Sequence, residues 1–435
     1  MLKPHWAALV LAAIVATVGL SAAMGCSGGS DPADSGALTS ALAATGPASP
    51  ELLEILDQVA DLRGLPPPKS VRFGVVKREA FPALLDALLT DSDREGFAKT
   101  TTLYRLLGHL GRDQDYLSVY RALASQAAIG LYSPDHDTLW VIDDRPGSTF
   151  RLDEMPPEAR AALAHELAHA VQDANFPLAD LKRATGDDLD ASLALASLIE
   201  GDAVASQALY TARYLSATRP ALGIVLGQGA TPPGVPPSIA RELFFPYTSG
   251  SEWVQAEIAG GGPGATDRLF RDPPRTTASI LHPERRGESS TPVQATLPDL
   301  AAPLGEGWER ESGGGFGEFQ LRNYLQLRLP GIPAATAAAG WVGDRYDVYK
   351  RGNESVAVIR LTFSDDGQAA EFAAAHDAFL ATGSSVRSLK DGLAVTASAA
   401  GPTTVSFPRS GPQITFVIGS SEAVAIRAAA LLRGG

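Results

Sequence analysis

The chain has 435 residues, of which 45% are hydrophobic and 20% are charged, and this ordinary composition excludes a disordered chain or a coiled coil. Acidic residues number 49 and basic residues 36, and the net charge of −13 argues against a nucleic-acid partner, since such proteins present a basic face. Because Cys26 is the only cysteine, a disulfide framework and a cysteine-built zinc site are also excluded.

The N-terminus has the pattern of an export signal. Lys3 supplies a positive charge, the apolar run Trp6–Leu20 is too short to span a membrane as a helix, and small residues precede Cys26. This end is similar to the lipobox of bacterial lipoproteins, in which the cysteine carries the lipid, although Ala23 stands where leucine is usual. An ordinary secretory signal is the alternative. Both interpretations predict an extracytoplasmic protein, and the lipobox predicts a lipid anchor through Cys26 to the cell membrane or the outer membrane.

The segments that follow predict a flexible tether over residues 27–50 and then a mostly helical domain over 51–290 with a small β-hairpin or sheet. The hairpin is expected where two alternating runs flank the turn residues 133–137. The predicted elements are, in chain order, a helix at Glu51–Arg63, a strand at Val71–Val76, helices at Phe81–Leu89, Leu103–Leu110 and Tyr116–Ala128, hairpin strands at Ile129–Tyr132 and Thr138–Ile142, and helices at 157–174 and 188–216.

A shift to proline, glycine and serine predicts a linker over residues 291–335. Residues 336–435 then predict a C-terminal α+β sandwich with an antiparallel sheet, so that the whole chain is of the α+β class. The expected strands are Tyr346–Lys350, Val356–Phe363, Gly392–Ala397, Thr403–Pro408 and Gln413–Ile418, with helices at 366–381 and 420–433.

The segment with the clearest chemistry is His165-Glu166-Leu167-Ala168-His169. Histidines four residues apart lie on one face of a helix, so both imidazoles can reach a single ion. Zn²⁺ prefers such nitrogen ligands and can keep an open position for water. Glu166 projects beside that position, where a carboxylate can take a proton from the water. The pattern therefore predicts a catalytic zinc site with Glu166 as general base.

A catalytic zinc site needs a third protein ligand. One class of zinc peptidase takes it from a further histidine on the same stretch of chain, but this chain has Asn175 at that position. The third ligand is therefore expected on the next helix. Glu200 shares a helical stripe with apolar residues, so its carboxylate points toward an apolar interior, and ligating a cation would remove the cost of burying it. The competing ligands are the acidic cluster Asp187, Asp188 and Asp190, for which capping of the helix start is the simpler interpretation.

Two histidines on one helix followed by a glutamate on a second helix resemble the gluzincin metallopeptidases, the thermolysin-like clan, and within it a group of bacterial proteins that are often lipoproteins. The shared segments run from Gly130-Leu131-Tyr132 to Leu281-His282-Pro283-Glu284, with a weaker similarity near Trp341. The resemblance implies a zincin-like fold for residues 51–290 and a bound Zn²⁺ held by His165, His169 and Glu200. It also implies hydrolysis of a peptide or protein substrate.

This chain departs from that clan at one position, and a second role of the clan's enzymes has more than one candidate residue here. Thermolysin-type enzymes place an aspartate four residues after the ligand glutamate to orient a zinc histidine, and this chain has Val204 there. Asp173 or Asp202 could supply that support instead. The clan also uses a later histidine or tyrosine to stabilise the oxyanion, for which His282 and then Tyr247 are the candidates. The simpler interpretations are that His282 is a histidine of a loop and that Tyr247 packs against its neighbours.

Two functions are compatible with this sequence. The first is an extracytoplasmic zinc metallopeptidase. The second is a binding or assembly lipoprotein that keeps a peptidase-like scaffold without catalysis, since a shared fold does not guarantee turnover. A complete ligand set together with Glu166 favours the enzyme, because a structural zinc site normally has a fourth protein ligand.

Overall fold

The computed structural model describes residues 45–143, 151–215, 233–262, 264–285, 291–382, 384–389, 392–397 and 401–434. The predicted signal peptide, Cys26 and most of the predicted tether lie outside these residues. The chain divides into two compact units. The first unit comprises the described residues of Met1–Glu95, Leu117–Thr185 and Leu193–Pro274, and the second those of Gly96–Tyr116, Gly186–Ser192 and Arg275–Gly435.

The protein is of the mixed α+β class. The helices are α1 (Pro50–Arg63), α2 (Phe81–Leu88), α3 (Asp91–Leu107), α4 (Tyr116–Ala127), α5 (Pro157–Asn175), α6 (Leu178–Thr185), α7 (Leu189–Tyr214), α8 (Pro237–Phe244), α9 (Ser251–Gly261), α10 (Ala265–Arg271), α11 (Thr277–Leu281), α12 (Ala301–Leu304), α13 (Gly317–Leu325), α14 (Gly331–Ala338), α15 (Asp366–Ala381) and α16 (Glu422–Gly434). The strands are β1 (Thr45–Pro47), β2 (Arg72–Lys77), β3 (Gly130–Ser133), β4 (Thr138–Asp143), β5 (Glu309–Gly314), β6 (Trp341–Arg351), β7 (Glu354–Phe363), β8 (Ser385–Ser388), β9 (Ala394–Ala397), β10 (Thr403–Ser406) and β11 (Gln413–Gly419).

The first unit contains a four-stranded mixed sheet with the order β1-β2-β4-β3. The hairpin β3–β4 is antiparallel, as the alternating sequence predicts, and Asp137 closes its turn with a φ of 46°. β4 also pairs with β2 in parallel. β3 is therefore an edge strand, and helix α5 packs against it.

Helix α5 is buried along most of its length, because its apolar residues point in several directions rather than to one stripe. Leu163, Leu167 and Val171 belong to one core cluster with α1 side chains such as Ile55 and with Leu139 of β4. This packing fixes the rotation of α5, and with it the direction in which its polar side chains point.

The second unit contains a seven-stranded sheet in which every pairing is antiparallel, with the order β5-β6-β7-β11-β10-β9-β8. Helices cover both faces, because successive residues of a strand point to opposite sides. On β11, Val417 belongs to the cluster that includes α16, and the next residue back, Phe416, contacts the rings of Tyr324 and His376. The antiparallel sheet with interleaved helices confirms the sequence prediction for the C-terminal region.

Residues 291–335, where the sequence predicts a linker, instead contain regular structure. Helix α12 comes first, strand β5 then pairs with β6 at the edge of the large sheet, and helix α13 and part of α14 follow. The predicted boundary at residue 290 also differs from the compact units, since the second unit includes Gly96–Tyr116 and Gly186–Ser192. Hydrogen bonds such as that from the Leu189 N–H to the Gly315 carbonyl hold one of these segments.

No helix in the described part of the chain combines the length and the apolar character needed to cross a membrane.

Candidate metal centre

Helix α5 carries the first two residues of the centre. It begins with Pro157 at its first position, where a proline fits, and runs unbroken to Asn175. His165 and His169 are one turn apart, as their spacing predicts, and their ring centroids lie 4.8 Å from each other with the planes at 88°. Their exposed fractions are 0% and 2%, so both imidazoles are inside the first unit.

Helix α7 supplies the third residue, Glu200, which is 1% exposed. Its Oε2 atom lies 3.2 Å from Nε2 of His165 and 3.4 Å from Nε2 of His169. The two Nε2 atoms are 3.2 Å apart. The three side chains thus converge on a common point and form a buried group that could hold a metal ion.

The spacing of these three atoms fits a small cation. Three corners of a tetrahedron lie about 3.3 Å apart when the central ion is about 2.0 Å from each ligand atom. The observed separations of 3.2, 3.2 and 3.4 Å match that edge length. Among the described residues no fourth histidine, cysteine, aspartate or glutamate joins the group.

The charges of the three residues are strongly coupled. Burial acts to raise the pKa of Glu200, but the imidazoles of His169 and His165 outweigh it and lower this pKa below its ordinary value. Burial acts to lower the pKa of His169, but Glu200 and Glu166 outweigh it and raise this pKa to about 9. The pKa of His165 is lowered by its burial. With no cation bound, a protonated His169 balances Glu200, and a bound cation would replace that proton.

Glu166 lies beside the three ligands and is fully buried. Its Oε2 atom accepts a hydrogen bond of 2.8 Å from the backbone N–H of Tyr132 on β3. Gly130 leaves room for this contact, since a Cβ atom there would lie 3.3 Å from Cγ of Glu166. The other oxygen, Oε1, has no hydrogen-bond partner within the described residues. Burial raises the pKa of Glu166 to about 7, which suits a group that accepts and releases a proton near neutral pH.

The orientation of His169 is set by a chain of hydrogen bonds that starts at Gln172. Nδ1 of His169 lies 2.9 Å from Oε1 of Gln172, an acceptor that favours a proton on Nδ1, so Nε2 is the nitrogen that would give up its proton and present a lone pair to a bound cation. The Gln172 amide donates to the Ile199 carbonyl and to Oδ2 of Asp202, both at 2.9 Å. Arg63 in turn donates to Asp202 at 3.0 Å.

The two candidates for support of the histidines, Asp173 and Asp202, make different contacts. Asp202 contributes, but it acts on His169 through Gln172 rather than by direct contact. Asp173 instead accepts a hydrogen bond of 3.2 Å from the Tyr132 hydroxyl. Val204, which stands where thermolysin-type enzymes have an aspartate, is buried at 3% exposure.

Tyr247 also belongs to the first unit and packs on the centre. It lies in a π-helical turn, Pro246–Gly250, and its ring stacks on the His165 ring at 6.2 Å between centroids. A Cβ at Gly201 would lie 2.6 Å from the Gly250 carbonyl oxygen, so this glycine lets α7 approach the turn of Tyr247.

His282 belongs to the second unit. Nε2 lies 2.8 Å from Oε1 of Glu318, and Nδ1 lies 3.2 Å from Oε1 of Glu284. The hydrogen bond with Glu318 raises the pKa of His282, so the ring is part of a charged pair. Both nitrogens are therefore engaged by carboxylates of its own unit.

The acidic cluster at the start of α7 serves the second unit. Asp188 accepts a hydrogen bond of 2.9 Å from the Ala191 N–H, which is the helix-capping role that the sequence predicts. Asp190 accepts from the Thr277 N–H at 2.8 Å, and Asp187 pairs with Lys99 at 3.4 Å. None of the three belongs to the group that could hold a metal ion.

Sequence reasoning missed several residues of the centre. Gln172 stands three residues after His169, so its helical spacing could have indicated a contact. Arg63, Tyr120 and Lys182 gave no such signal, because they lie far away in the sequence. Tyr120 and Lys182 are buried within electrostatic reach of Glu200, and burial raises the pKa of Tyr120 and lowers that of Lys182.

Comparison with known proteins gives one match. Residues 307–428 match the model of a family described as a domain of unknown function, DUF8575, and this match lies within the second unit. No curated protein and no solved structure matches the chain.

Proposed function

We propose that the protein is a zinc metallopeptidase of the gluzincin type and that its first unit has a zincin-like fold. The observation that carries the proposal is the cluster of two imidazole nitrogens and one carboxylate oxygen, 3.2–3.4 Å apart, beside a glutamate with an unpartnered buried oxygen. Catalytic zinc sites combine three protein ligands with an open position and a nearby general base.

Zinc is the metal that fits the donor set best. Two imidazoles and one carboxylate suit Zn²⁺, whereas Mg²⁺ and Ca²⁺ prefer oxygen ligands and six or more positions. The separations of 3.2–3.4 Å also support tetrahedral geometry, since ligands around an octahedral ion of similar bond length would lie closer, at about 2.9 Å.

Glu166 is the proposed general base. A zinc ion supplies Lewis acidity, which lowers the pKa of a bound water and polarises a carbonyl group. The Oε1 atom of Glu166 has no other partner within the described residues, so it can accept the proton of the attacking water. A pKa of about 7 then lets Glu166 pass that proton to the amine that leaves when the peptide bond breaks.

Tyr247 is the better candidate for the oxyanion donor. Its ring packs on His165, and its burial places the phenol in surroundings where one hydrogen bond to a developing charge is strong. His282 is the weaker candidate, because both of its ring nitrogens are already engaged by Glu318 and Glu284.

The proposed substrate is a peptide or protein outside the cytoplasm. The pattern of residues 1–26 supports export, and Cys26 supports a lipid anchor to the cell membrane or the outer membrane. A polar tether after the anchor would keep the first unit away from the lipid surface.

A binding or assembly lipoprotein is the second candidate, and one observation favours it. The side chains of His165, Glu166, His169 and Glu200 are only 0–2% exposed, so a substrate needs an opening that this conformation does not provide. A non-catalytic protein could keep such a closed centre for stability. The unpartnered oxygen of Glu166 favours the enzyme, since a buried polar atom without a partner is costly unless it has a use.

The test is hydrolysis of a peptide library by the purified full-length protein and by Glu166→Gln. We expect one zinc per chain in both proteins and loss of about 10²–10⁴-fold in rate for the variant, because the glutamine cannot accept the proton. A matched control is Glu158→Gln, an acidic residue in the first turn of the same helix. Equal hydrolysis by wild type and Glu166→Gln would exclude the proposed base, and a zinc-loaded wild type without hydrolysis would favour the binding protein.

A further inference from the structure

The second unit contains a cavity of about 610 Å³ that has no connection with the chemistry proposed above. Its lining comes from the end of α3 and the following turn, and from residues of α13, α15 and the large sheet. Its volume is in the range of small-molecule sites, about 300–1,000 Å³. The cavity thus has room for a ligand of several carbon atoms with a polar group.

Positive charge predominates in the cavity although the chain has a net charge of −13. Arg105, Arg112, Arg328 and Lys350 line it, and Glu354 is the acidic residue of the lining. The charges of Lys350 and Glu354 are already balanced, because Lys350 pairs with a carboxylate of β5 at 2.8 Å and Glu354 with an arginine of β6 at 2.6 Å.

Arg105, Arg112 and Arg328 form no ion pair with a carboxylate within the described residues. Arg105 donates from Nε to the Gln114 carbonyl at 3.0 Å, and no hydrogen bond or ion pair of the Arg112 side chain is found there. Arg328 donates from one terminal nitrogen to the carbonyls of Phe379 and Thr382 at 3.1 and 3.0 Å, which leaves its Nε and other terminal nitrogen for a ligand. Neutral carbonyls do not cancel a guanidinium charge.

Apolar side chains lie beside these charges. The Arg328 guanidinium stacks 4.7 Å above the Phe379 ring, which holds its plane in place. Tyr324 and Leu380 line the same part of the cavity, and Leu107 and Leu110 line the part near α3. A planar, preorganised guanidinium is the side chain best suited to bind a carboxylate or a phosphate through two parallel hydrogen bonds.

We propose that this cavity binds a small molecule with an oxyanion group, a phosphate or a carboxylate, attached to an apolar body. Arg105, Arg112 and Arg328 bind the oxyanion, and Tyr324, Phe379 and the leucines contact the apolar part. Most of the lining belongs to residues 307–428, the segment that matches the family model, and the rest belongs to the end of α3 and the turn after it.

The experiment is isothermal titration calorimetry of the full-length protein with hexyl phosphate, hexanoate and inorganic phosphate at constant ionic strength. We expect one of the two hexyl compounds to bind more tightly than the other, which identifies the oxyanion. We expect inorganic phosphate to bind at least tenfold more weakly than hexyl phosphate if phosphate is that oxyanion. If none of the three compounds gives binding heat at about 5 mM, the proposal is overturned, because any affinity would then be weaker than millimolar.

Variants tie the binding to the cavity. The first variant is Arg112→Gln. The Arg112 side chain makes no hydrogen bond within the described residues, so we expect the fold to tolerate the change. We expect its dissociation constant to rise about tenfold or more, which is 1.4 kcal/mol per factor of ten. Arg427→Gln on α16 is the matched control, an exposed arginine outside the lining, and it should stay within about twofold. Arg328→Gln should weaken binding further, and binding unchanged in both cavity variants overturns the assignment.

Discussion

Gln172 is the residue that joins the two helices of the metal centre. Its amide oxygen accepts from His169 on its own helix, and its amide nitrogen donates to the backbone of Ile199 and to Asp202 on the next one. One side chain therefore fixes both the imidazole orientation and the distance between the helices. Motif reasoning misses it because a glutamine has no metal chemistry of its own, and only the helical spacing indicates the contact.

Replacing Gln172 should weaken metal binding without removing a ligand. We expect Gln172→Ala to raise the dissociation constant for zinc about 10–100-fold, because His169 loses the acceptor that fixes its tautomer. Competition with a chromogenic chelator measures this constant. Asn175→Ala is the matched control, since its amide on the same helix donates to the carbonyls of Pro66 and Val171. Equal zinc affinity in wild type and Gln172→Ala would contradict the role assigned to this glutamine.

The ion pair between Arg63 and Asp202 should contribute strongly to the stability of the first unit. The two side chains are 7% and 1% exposed, so Arg63→Met leaves a buried carboxylate without its cation. We expect the free energy of unfolding in urea to fall by about 3–5 kcal/mol. Arg63 also pairs at 3.1 Å with Asp267, which is 19% exposed and keeps its charge in both variants. The double variant Arg63→Met/Asp202→Asn removes the more deeply buried charge of Asp202, so part of this loss should return.

The control for that pair is an exposed one. Arg151 and Asp153 form an ion pair with side chains that are 58% and 60% exposed, and Arg151→Met should change the unfolding transition little. Arg63 lies on α1 and Asp202 on α7. If Arg63→Met changes the free energy of unfolding little, or if the double variant recovers none of it, the buried pair does not stabilise the contact between these helices.

At the scale of elements, the sequence predicts what depends on periodicity. The hairpin β3–β4, helices α5 and α7 and the strands and helices predicted at 346–350, 356–363, 366–381, 392–397, 403–408, 413–418 and 420–433 follow from alternating or helical apolar patterns, and the structure confirms them. Strands β5 and β8 were not predicted, because one is rich in charge and glycine and the other is exposed throughout. Edge strands gain their hydrogen bonds from a neighbour rather than from an apolar pattern, so their own sequence carries little signal.

Helix α3 shows a second limit of periodicity. The sequence predicts Leu103–Leu110, whereas the helix runs from Asp91 to Leu107. Its polar first half is started by reciprocal hydrogen bonds, in which the Asp93 N–H donates to the Thr90 hydroxyl and the Thr90 N–H donates to the Asp93 carboxylate. This is the capping-box arrangement, which can begin a helix without an apolar face.

The contact between α7 and the turn of Tyr247 makes a prediction at this scale. In a helix, glycine to alanine normally stabilises by about 1 kcal/mol, but Gly201→Ala would place a Cβ 2.6 Å from the Gly250 carbonyl oxygen. We therefore expect destabilisation by about 1–3 kcal/mol in urea unfolding. Gly46→Ala is the control, because nothing lies within 4 Å of its Cβ position. A more stable Gly201→Ala protein would contradict the close approach.

At the scale of the whole molecule, the two units differ in how far the sequence explains them. The group that could hold a metal in the first unit follows from one five-residue motif and a glutamate on the next helix, because side-chain spacing on a helix is fixed geometry. The division of the chain into units was not predictable in this way. Residues 186–192 join the second unit through contacts such as that of the Tyr346 hydroxyl with the Asp187 carbonyl, which are distant in sequence.

His376 makes the stability of the second unit depend on pH. Burial lowers its pKa from 6.5 to about 4, and its ring packs among Phe372, Phe379 and Phe416. The unfolded chain binds the proton more tightly than the folded one. The contribution of the neutral His376 to the free energy of unfolding is therefore complete above pH 6.5 and is lost as the pH falls toward 4. We expect a loss of about 3 kcal/mol over this window, from 1.36 kcal/mol per pKa unit.

The comparison that isolates this residue is wild type against His376→Phe in urea unfolding at several pH values. Carboxylates titrate in both proteins, so the difference between the two curves reports the histidine alone. The variant should lose less stability than wild type between neutral pH and pH 4. Parallel curves for the two proteins would contradict a buried neutral His376.

Anomalous diffraction at the zinc absorption edge, from crystals of the protein purified without added metal, tests directly whether the two histidines and Glu200 hold zinc. We expect one zinc peak within about 2.0–2.2 Å of Nε2 of His165, Nε2 of His169 and a carboxylate oxygen of Glu200, with water in the remaining position. No peak at this point, or a fourth protein side chain on the metal, would contradict this expectation.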